Sequence, residues 1–131
     1  MSTRQVINPS GLHPAPGFSH ITVAESSRTA YIAGQLALAP DFSVLGGSDL
    51  GEQTAAAMRN VKVALDSLGA GFEHVVRRTI YTTQPTEYEV ITAAIEEVQG
   101  SREHPAQTII GVTGLAVAGL LIEIEVTVAL P

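Results

Sequence analysis

The stretch 120-LLIEIEVTVAL-130 carries the reading on which the fold turns. In an extended chain, successive side chains point to opposite faces. Ile122, Ile124, Val126 and Val128 therefore share one face, and Leu121, Glu123, Glu125 and Thr127 share the other. The first face is dry. The second holds two carboxylates and is only partly polar. The sheet that contains this strand must bury one face completely and cover the other in part.

The chain offers two helices for that work. Leu50, Thr54, Ala57, Met58, Val61, Ala64, Leu65 and Leu68 recur at a helical period. Asp49 and Glu52 form a capping box before them, and Gly69 and Gly71 end the run. Tyr88, Ile91, Ile95 and Val98 give the stripe of a second helix, with Thr86 and Glu89 as its capping box after Pro85 and Gly100 as its stop. The segments 18-FSHITVAE-25 and 29-TAYIAGQLAL-38 read as strands joined by a hairpin-like turn at Ser26-Ser27. Two more, 74-HVVRRTIYTT-83 and 106-AQTIIGVTG-114, are rich in β-branched residues. Pro and Gly crowd 9-PSGLHPAPG-17, so residues 1–17 read as a loop-rich lead-in.

The order β-β-α-β-α-β-β implies one α+β domain over residues 1–131, with a mixed sheet of five to six strands and two helices on one face. Two helices cannot cover both faces of such a sheet, so the second face is expected to be buried by assembly with closed symmetry. Composition points the same way. Only 15% of the 131 residues are charged, against about 25% in a typical domain, and the mean hydropathy is +0.24.

Composition also removes several function classes. With no cysteine, there is no disulfide scaffold, thiol catalysis or Cys-based metal site. A net charge of −6 argues against a nucleic-acid partner. The apolar stretch 109–126 holds Thr113, Glu123, Glu125 and three glycines, so it reads as two strands and a turn, not a membrane span. No hydrophobic run follows Arg4, so the N-terminus does not read as a signal peptide and the expected compartment is the cytosol.

Few residues suggest chemistry by pattern alone. Gly34-Gln35 ends an apolar strand, where glycine permits either a bulge or close approach of a ligand. Glu123 and Glu125 lie two apart on one strand face, placed either for acid–base work or as solvated or Arg-paired carboxylates. His13, His20, His74 and His104 show no metal-ligand spacing, and neither metal nor cofactor is expected. Arg77-Arg78 reads as a solvated strand end or an ion-pair partner. The turn 115-LAVAGLL-121 is apolar where polar residues are expected, which suits burial against another subunit or a place at a cleft mouth.

Taken as a spaced set, GFSH before a strand, AGQ at the end of the next, the run 52-EQTAAAMRNVKVALDSLGAGFEHVV-76, His104-Pro105-Ala106 and the final IEIE resemble the Rid proteins. These are the reactive intermediate deaminases, also called YjgF-like and, by an older label, endoribonuclease L-PSP. The resemblance runs over about residues 5–129. It implies a chorismate-mutase-like fold and a homotrimer whose sheets form a central barrel, with three clefts between neighbouring subunits. It also implies hydrolysis of enamine or imine intermediates to ketoacids and ammonia.

Carried over residue by residue, Glu123 matches the family glutamate that positions the attacking water, and Gly34 is retained. Gln107 stands where deaminating members have an arginine for the substrate carboxylate. Phe18 replaces a tyrosine, Ala33 a serine, Thr92 an asparagine and Ile109 a cysteine. A charge-assisted hydrogen bond contributes roughly 1.5–3 kcal/mol against about 1 kcal/mol for a neutral one, so weaker carboxylate binding is expected at Gln107. Arg4 and Arg28 are the candidates for a replacement cation.

The resemblance thus implies a trimer binding a small, rather apolar metabolite among Phe18, Ala33, Gly34, Thr92, Gln107, Ile109 and Glu123. Either Glu123 orients water for cleavage of an imine or related C–N bond, or the scaffold binds small molecules or proteins without turnover. Nothing basic lines the expected site, which counts against the ribonuclease label.

Overall fold

The computed structural model describes residues 2–131. Six strands and two helices follow in the order β1 (Arg4–Ile7), β2 (Ile21–Ala24), β3 (Thr29–Leu36), α1 (Leu50–Ser67), β4 (Val75–Thr82), α2 (Tyr88–Gln99), β5 (Ala106–Gly111) and β6 (Ile122–Ala129). Four strands form a mixed sheet in the order β3-β6-β4-β5, with β4 and β5 parallel and the other pairs antiparallel. Both helices pack on one face of that sheet.

The alternation in β6 holds residue by residue. Ile122, Ile124, Val126 and Val128 are buried beneath the helices, packed with Met58, Val61 and Leu65 of α1, Ile91 and Ile95 of α2, and Ile80 of β4. Glu123, Glu125 and Thr127 are half-buried on the opposite face. There they meet Tyr81, Thr79 and Arg77 through the β4–β6 register. Tyr31, opposite Thr127 on β3, is 81% exposed. Among the described residues, no element of the chain covers this second face.

Five expectations change. The lead-in contains a strand, β1, which pairs antiparallel with β2 in a separate two-stranded ribbon. The sheet under the helices accordingly has four strands, not five or six. Ser26-Ser27 makes no hairpin between β2 and β3. The Ser26 hydroxyl donates to the Leu130 carbonyl at 2.6 Å, and the Leu130 amide donates to Arg28, so this link carries the chain from ribbon to sheet. The Thr86–Glu89 box is absent, because α2 begins at Tyr88 with Glu87 as its N-cap and no side-chain cap. Tyr88, expected in the buried stripe, is 45% exposed, and Ala94 is buried in that stripe instead.

The apolar turn is buried in its own chain at Leu120, with Leu115, Val117 and Leu121 half-buried and Ala116, Ala118 and Gly119 exposed. Leu120 packs with Ala37 and Ala56 in a small second core, with Leu115 and Val117 against it. Gln53, fully buried, pins the turn. Its amide donates to Gly47 O (2.7 Å) and Gly119 O (3.0 Å), while its Oε1 accepts from the Leu121 amide (2.9 Å).

The caps give a direct comparison. Asp49 Oδ1 accepts from the Glu52 amide at 2.8 Å, so Asp49→Ala is expected to cost about 1 kcal/mol by denaturant unfolding. Thr86→Ala, which removes no cap, is expected to stay within about 0.5 kcal/mol.

Candidate functional site

The site is anchored where β4 and β5 run side by side. In their parallel register Arg78 pairs with Gln107, and Ile80 with Ile109. A period of two puts Arg78 on the face of Ile80 and Thr82, beneath the helices, and its side chain is only 2% exposed. It is therefore not the solvated strand end expected from the Arg77-Arg78 pair. Arg77 takes the open face instead and donates to Thr108 Oγ1 at 2.9 Å.

A guanidinium moved out of water needs acceptors around it. Arg78 finds them on three segments. Its Nε donates to Gln107 Oε1. Its Nη2 donates to His104 Nδ1 at 2.9 Å and reaches Gly17 O at 3.3 Å. Because arginine only donates, His104 Nδ1 must be the bare nitrogen. His104 Nε2 then carries the proton and donates to Glu96 Oε2 at 2.7 Å. Burial pushes the Arg78 guanidinium down to about 9, a fall the nearby Arg4 charge adds to and Glu96 opposes; it remains charged at neutral pH. Burial also pushes the His104 imidazole below its usual value, and the Glu96 hydrogen bond opposes that shift.

The lead-in docks on the same anchor. Ser19 Oγ donates to His104 O (2.5 Å), the Ser19 amide donates to Pro105 O (2.9 Å), and the Ala106 amide donates to Thr22 Oγ1 (2.6 Å). Gly17, at φ +77°, brings the loop so close to α2 that an added Cβ would sit 2.5 Å from Thr92 Oγ1. These contacts set Phe18 beside Thr92, Gln107 and Ile109 in one cavity of about 530 Å³, which His13, His20 and three prolines also line. The Phe18 ring meets His20 edge-on at 5.2 Å, and His20 meets His13 at 4.7 Å. Both imidazoles hydrogen-bond backbone carbonyls, His13 Nδ1 to Pro14 O and His20 Nε2 to His13 O, each at 2.7 Å. A carbonyl can only accept, so each of these nitrogens carries a proton.

The remaining predicted residues lie elsewhere. Ala33 and Gly34 form a bulge in β3, two residues facing Glu125 alone on β6. Glycine at this point admits the Glu123 carboxylate: a Cβ on Gly34 would lie 1.8 Å from Glu123 Oε2. The bulge is thus present, and what approaches the glycine is the Glu123 side chain of the same chain. Glu125 accepts from the Tyr81 hydroxyl at 2.6 Å, which pushes the tyrosine up from its usual value. Among the described residues, no group donates to Glu123.

The seven predicted residues thus divide in two. Phe18, Thr92, Gln107 and Ile109 meet at the β5 edge, on the helix side. Ala33, Gly34 and Glu123 meet at β3 and β6, with Glu123 on the open face. At about 4.8 Å per strand, the β3 and β5 edges lie about 14 Å apart across the sheet. One copy of the chain does not bring the two groups together.

The family model described as Endoribonuclease L-PSP matches residues 9–130. This chain belongs to that family, the Rid or YjgF proteins. The crystal structure of YyfB from Yersinia pestis, a conserved Rid-family protein of unknown function, superposes with a TM-score of 0.91 at 39% identity, over 98% of this chain and 99% of that one. A YjgF/YER057c/UK114-family structure from Mycobacterium tuberculosis gives 0.66 at 27% identity, over 97% and 99%. A RutC family protein of Synechocystis is 24% identical over 119 residues, covering 90% of this chain and 91% of its own.

Three site residues were missed from sequence. Arg78 had a usable signal, since alternation puts it with Ile80. His104 and Glu96 had none, because 8 residues of chain separate their contact. Within the chain, Arg4 donates to the Phe72 and Val75 carbonyls, and the basic side chain bonded to Gln107 is Arg78. Among the described residues there is no cluster of metal ligands and no helix long and apolar enough to cross a membrane.

The lowered His104 value fixes a sign. A group whose pKa falls on folding adds stability above its unfolded value, near 6.5, that is lost as the pH drops through the lower folded value. Unfolding free energy is expected to decline below about pH 6.5, and His104→Gln should remove that part of the slope, as followed by urea melts from pH 8 to 5.

Proposed function

We propose that the protein works as a homotrimer whose clefts between copies bind a small, largely apolar metabolite and hydrolyse its imine or enamine group. The observation that carries this reading is the division of the site. Among the described residues no further strand pairs with the outer edge of β3 or of β5, where only a single bridge from Ser19 to Ala106 forms, the face bearing Tyr31 and Glu123 is uncovered, and the half-sites lie toward those two edges. Placing the β5 side of one copy against the β3 side of the next completes the site and covers the open face in one step. Closed symmetry repeats that contact without leaving a free edge.

The chemistry follows from the two halves. Phe18, Ile109 and the prolines supply apolar walls, and Gln107 supplies one hydrogen-bonding group. Glu123, which accepts no bond from its own chain, accepts one from a water. It then draws off a proton as the water oxygen attacks the imine carbon. The resulting carbinolamine loses ammonia, giving a ketone and NH3 from the imine and H2O. Nucleic-acid cleavage is not favoured, because no Lys or Arg lines the Phe18–Gln107 cavity.

Light scattering is expected to give a mass of three copies of 13.7 kDa; a monomer would end this reading. An amino-acid oxidase acting on leucine generates an imino acid with an apolar side chain, and ketoacid release should quicken when the protein is added. Glu123→Ala is expected to abolish that gain. Gly34→Ala, which displaces the carboxylate without removing it, should lower it about tenfold or more. No acceleration by the native protein would assign the cleft to binding without turnover. Acceleration unchanged by Glu123→Ala would remove the role given to that residue.

A further inference from the structure

We propose that Arg78 is a positioning residue of the cleft: it holds the Gln107 carboxamide oxygen inward, so that the amide NH2 faces the Phe18–Ile109 cavity and selects a ligand with an anionic acceptor oxygen. This inference deepens the function proposed above and rests on it only in taking that cavity as the place where the ligand lies.

Three observations support it. First, the orientation of the carboxamide is forced. Arg78 is a donor only, so the Gln107 atom it meets must be the oxygen. The two ends of a planar carboxamide point apart, so with Oε1 turned inward the Nε2 points outward. Second, the outward group is free. Among the described residues Gln107 Nε2 has no hydrogen-bond acceptor, and no buried side-chain nitrogen or oxygen lacks a partner. This donor is therefore accessible, and Gln107 lines the cavity while Arg78 does not. Third, the charge is fixed. The guanidinium is tied to the Gly17 carbonyl and to His104, as well as to Gln107. Its nearest carboxylate, Glu96, stands beyond the imidazole of His104. The cavity wall itself carries no Asp or Glu. A ligand oxygen bonded to Gln107 Nε2 would feel the buried cation through one amide and meet no like charge at the wall. Accepting from a guanidinium also polarises the carboxamide and strengthens its N–H as a donor.

The cation is thus retained in this chain, moved from the cleft wall to the neighbouring strand at the register position beside Gln107. It acts through the amide instead of touching the ligand.

The test uses two probes of similar shape, benzoate and acetophenone, titrated by calorimetry at pH 7 and by the side-chain amide signals of 15N-labelled protein. Native protein is expected to bind benzoate about tenfold or more tighter than acetophenone, with the Gln107 NH2 signals shifting on benzoate addition. Gln107→Glu keeps an acceptor for Arg78 but removes the donor, and should lose benzoate binding by about tenfold or more. Arg78→Lys keeps a charge without the fork that orients the amide, and should narrow the preference for benzoate several-fold while the protein stays folded and trimeric. The proposal is overturned if benzoate binds without moving the Gln107 signals, if it binds Gln107→Glu as well as native protein, or if native protein binds neither probe. Because these readouts do not require turnover, benzoate binding without imine hydrolysis would uphold this proposal and count against the catalytic reading. Hydrolysis with no benzoate preference would do the reverse.

Discussion

A single buried guanidinium organises this protein. Arg78 sits beneath two helices with almost no contact with water, where an unpaired charge would be untenable. Its acceptors come from a strand, a turn and a loop: Gln107, His104 and Gly17. His104 passes the connection to α2 through Glu96. The loop-rich lead-in, which has little core of its own, is drawn onto the sheet at this point and places Phe18 over β5. The cavity has its shape because the cation needs partners on each of its sides. The same cation fixes which end of the Gln107 carboxamide turns inward.

The second constraint is the two-faced sheet. A four-stranded sheet with two helices on one side leaves Tyr31, Tyr81, Glu123 and Glu125 on the other, along with two unpaired edges. Gly34 adds a local device. The bulge at Ala33–Gly34 bends β3, and the missing side chain leaves room for the Glu123 carboxylate. The low charge content of the chain and this uncovered, partly polar face are the two features that the proposed assembly accounts for together.

Much of the fold was legible because periodicity is local. The β6 alternation, the α1 stripe and the Asp49 cap depend on residues within a few positions of each other, and all three hold except at Leu68, which caps the end of α1 and is exposed. What failed depends on partners distant in sequence. Ser26-Ser27 looked like a hairpin turn, but the hydroxyl of Ser26 is taken by Leu130. Arg4–Ile7 was too short to read as a strand until β2 stood beside it. Thr86 and Glu89 have capping-box spacing, yet the turn after Pro85 starts the helix later. The apolar turn 115–121 looked like a surface in need of a partner, and Gln53 with Ala56 supplies that partner within the chain.

The site shows the same limit. The residues carried over by family resemblance fall into two groups in the single chain, Phe18, Thr92, Gln107 and Ile109 beside β5 and Ala33, Gly34 and Glu123 at β3 and β6. The arginine behind Gln107 was visible in the sequence and misread, because a pair of arginines in a strand suggests solvent. The most direct test of the central claim, that one cleft takes halves from two copies, is complementation. Gln107→Glu protein, expected to bind weakly, and Glu123→Ala protein, expected to give no acceleration, are unfolded together in equal amounts and refolded, and ketoacid release is measured against each refolded alone. A site shared between copies returns native halves in about a quarter of the clefts, with activity to match. A site contained within one chain returns none, and that result would contradict the account.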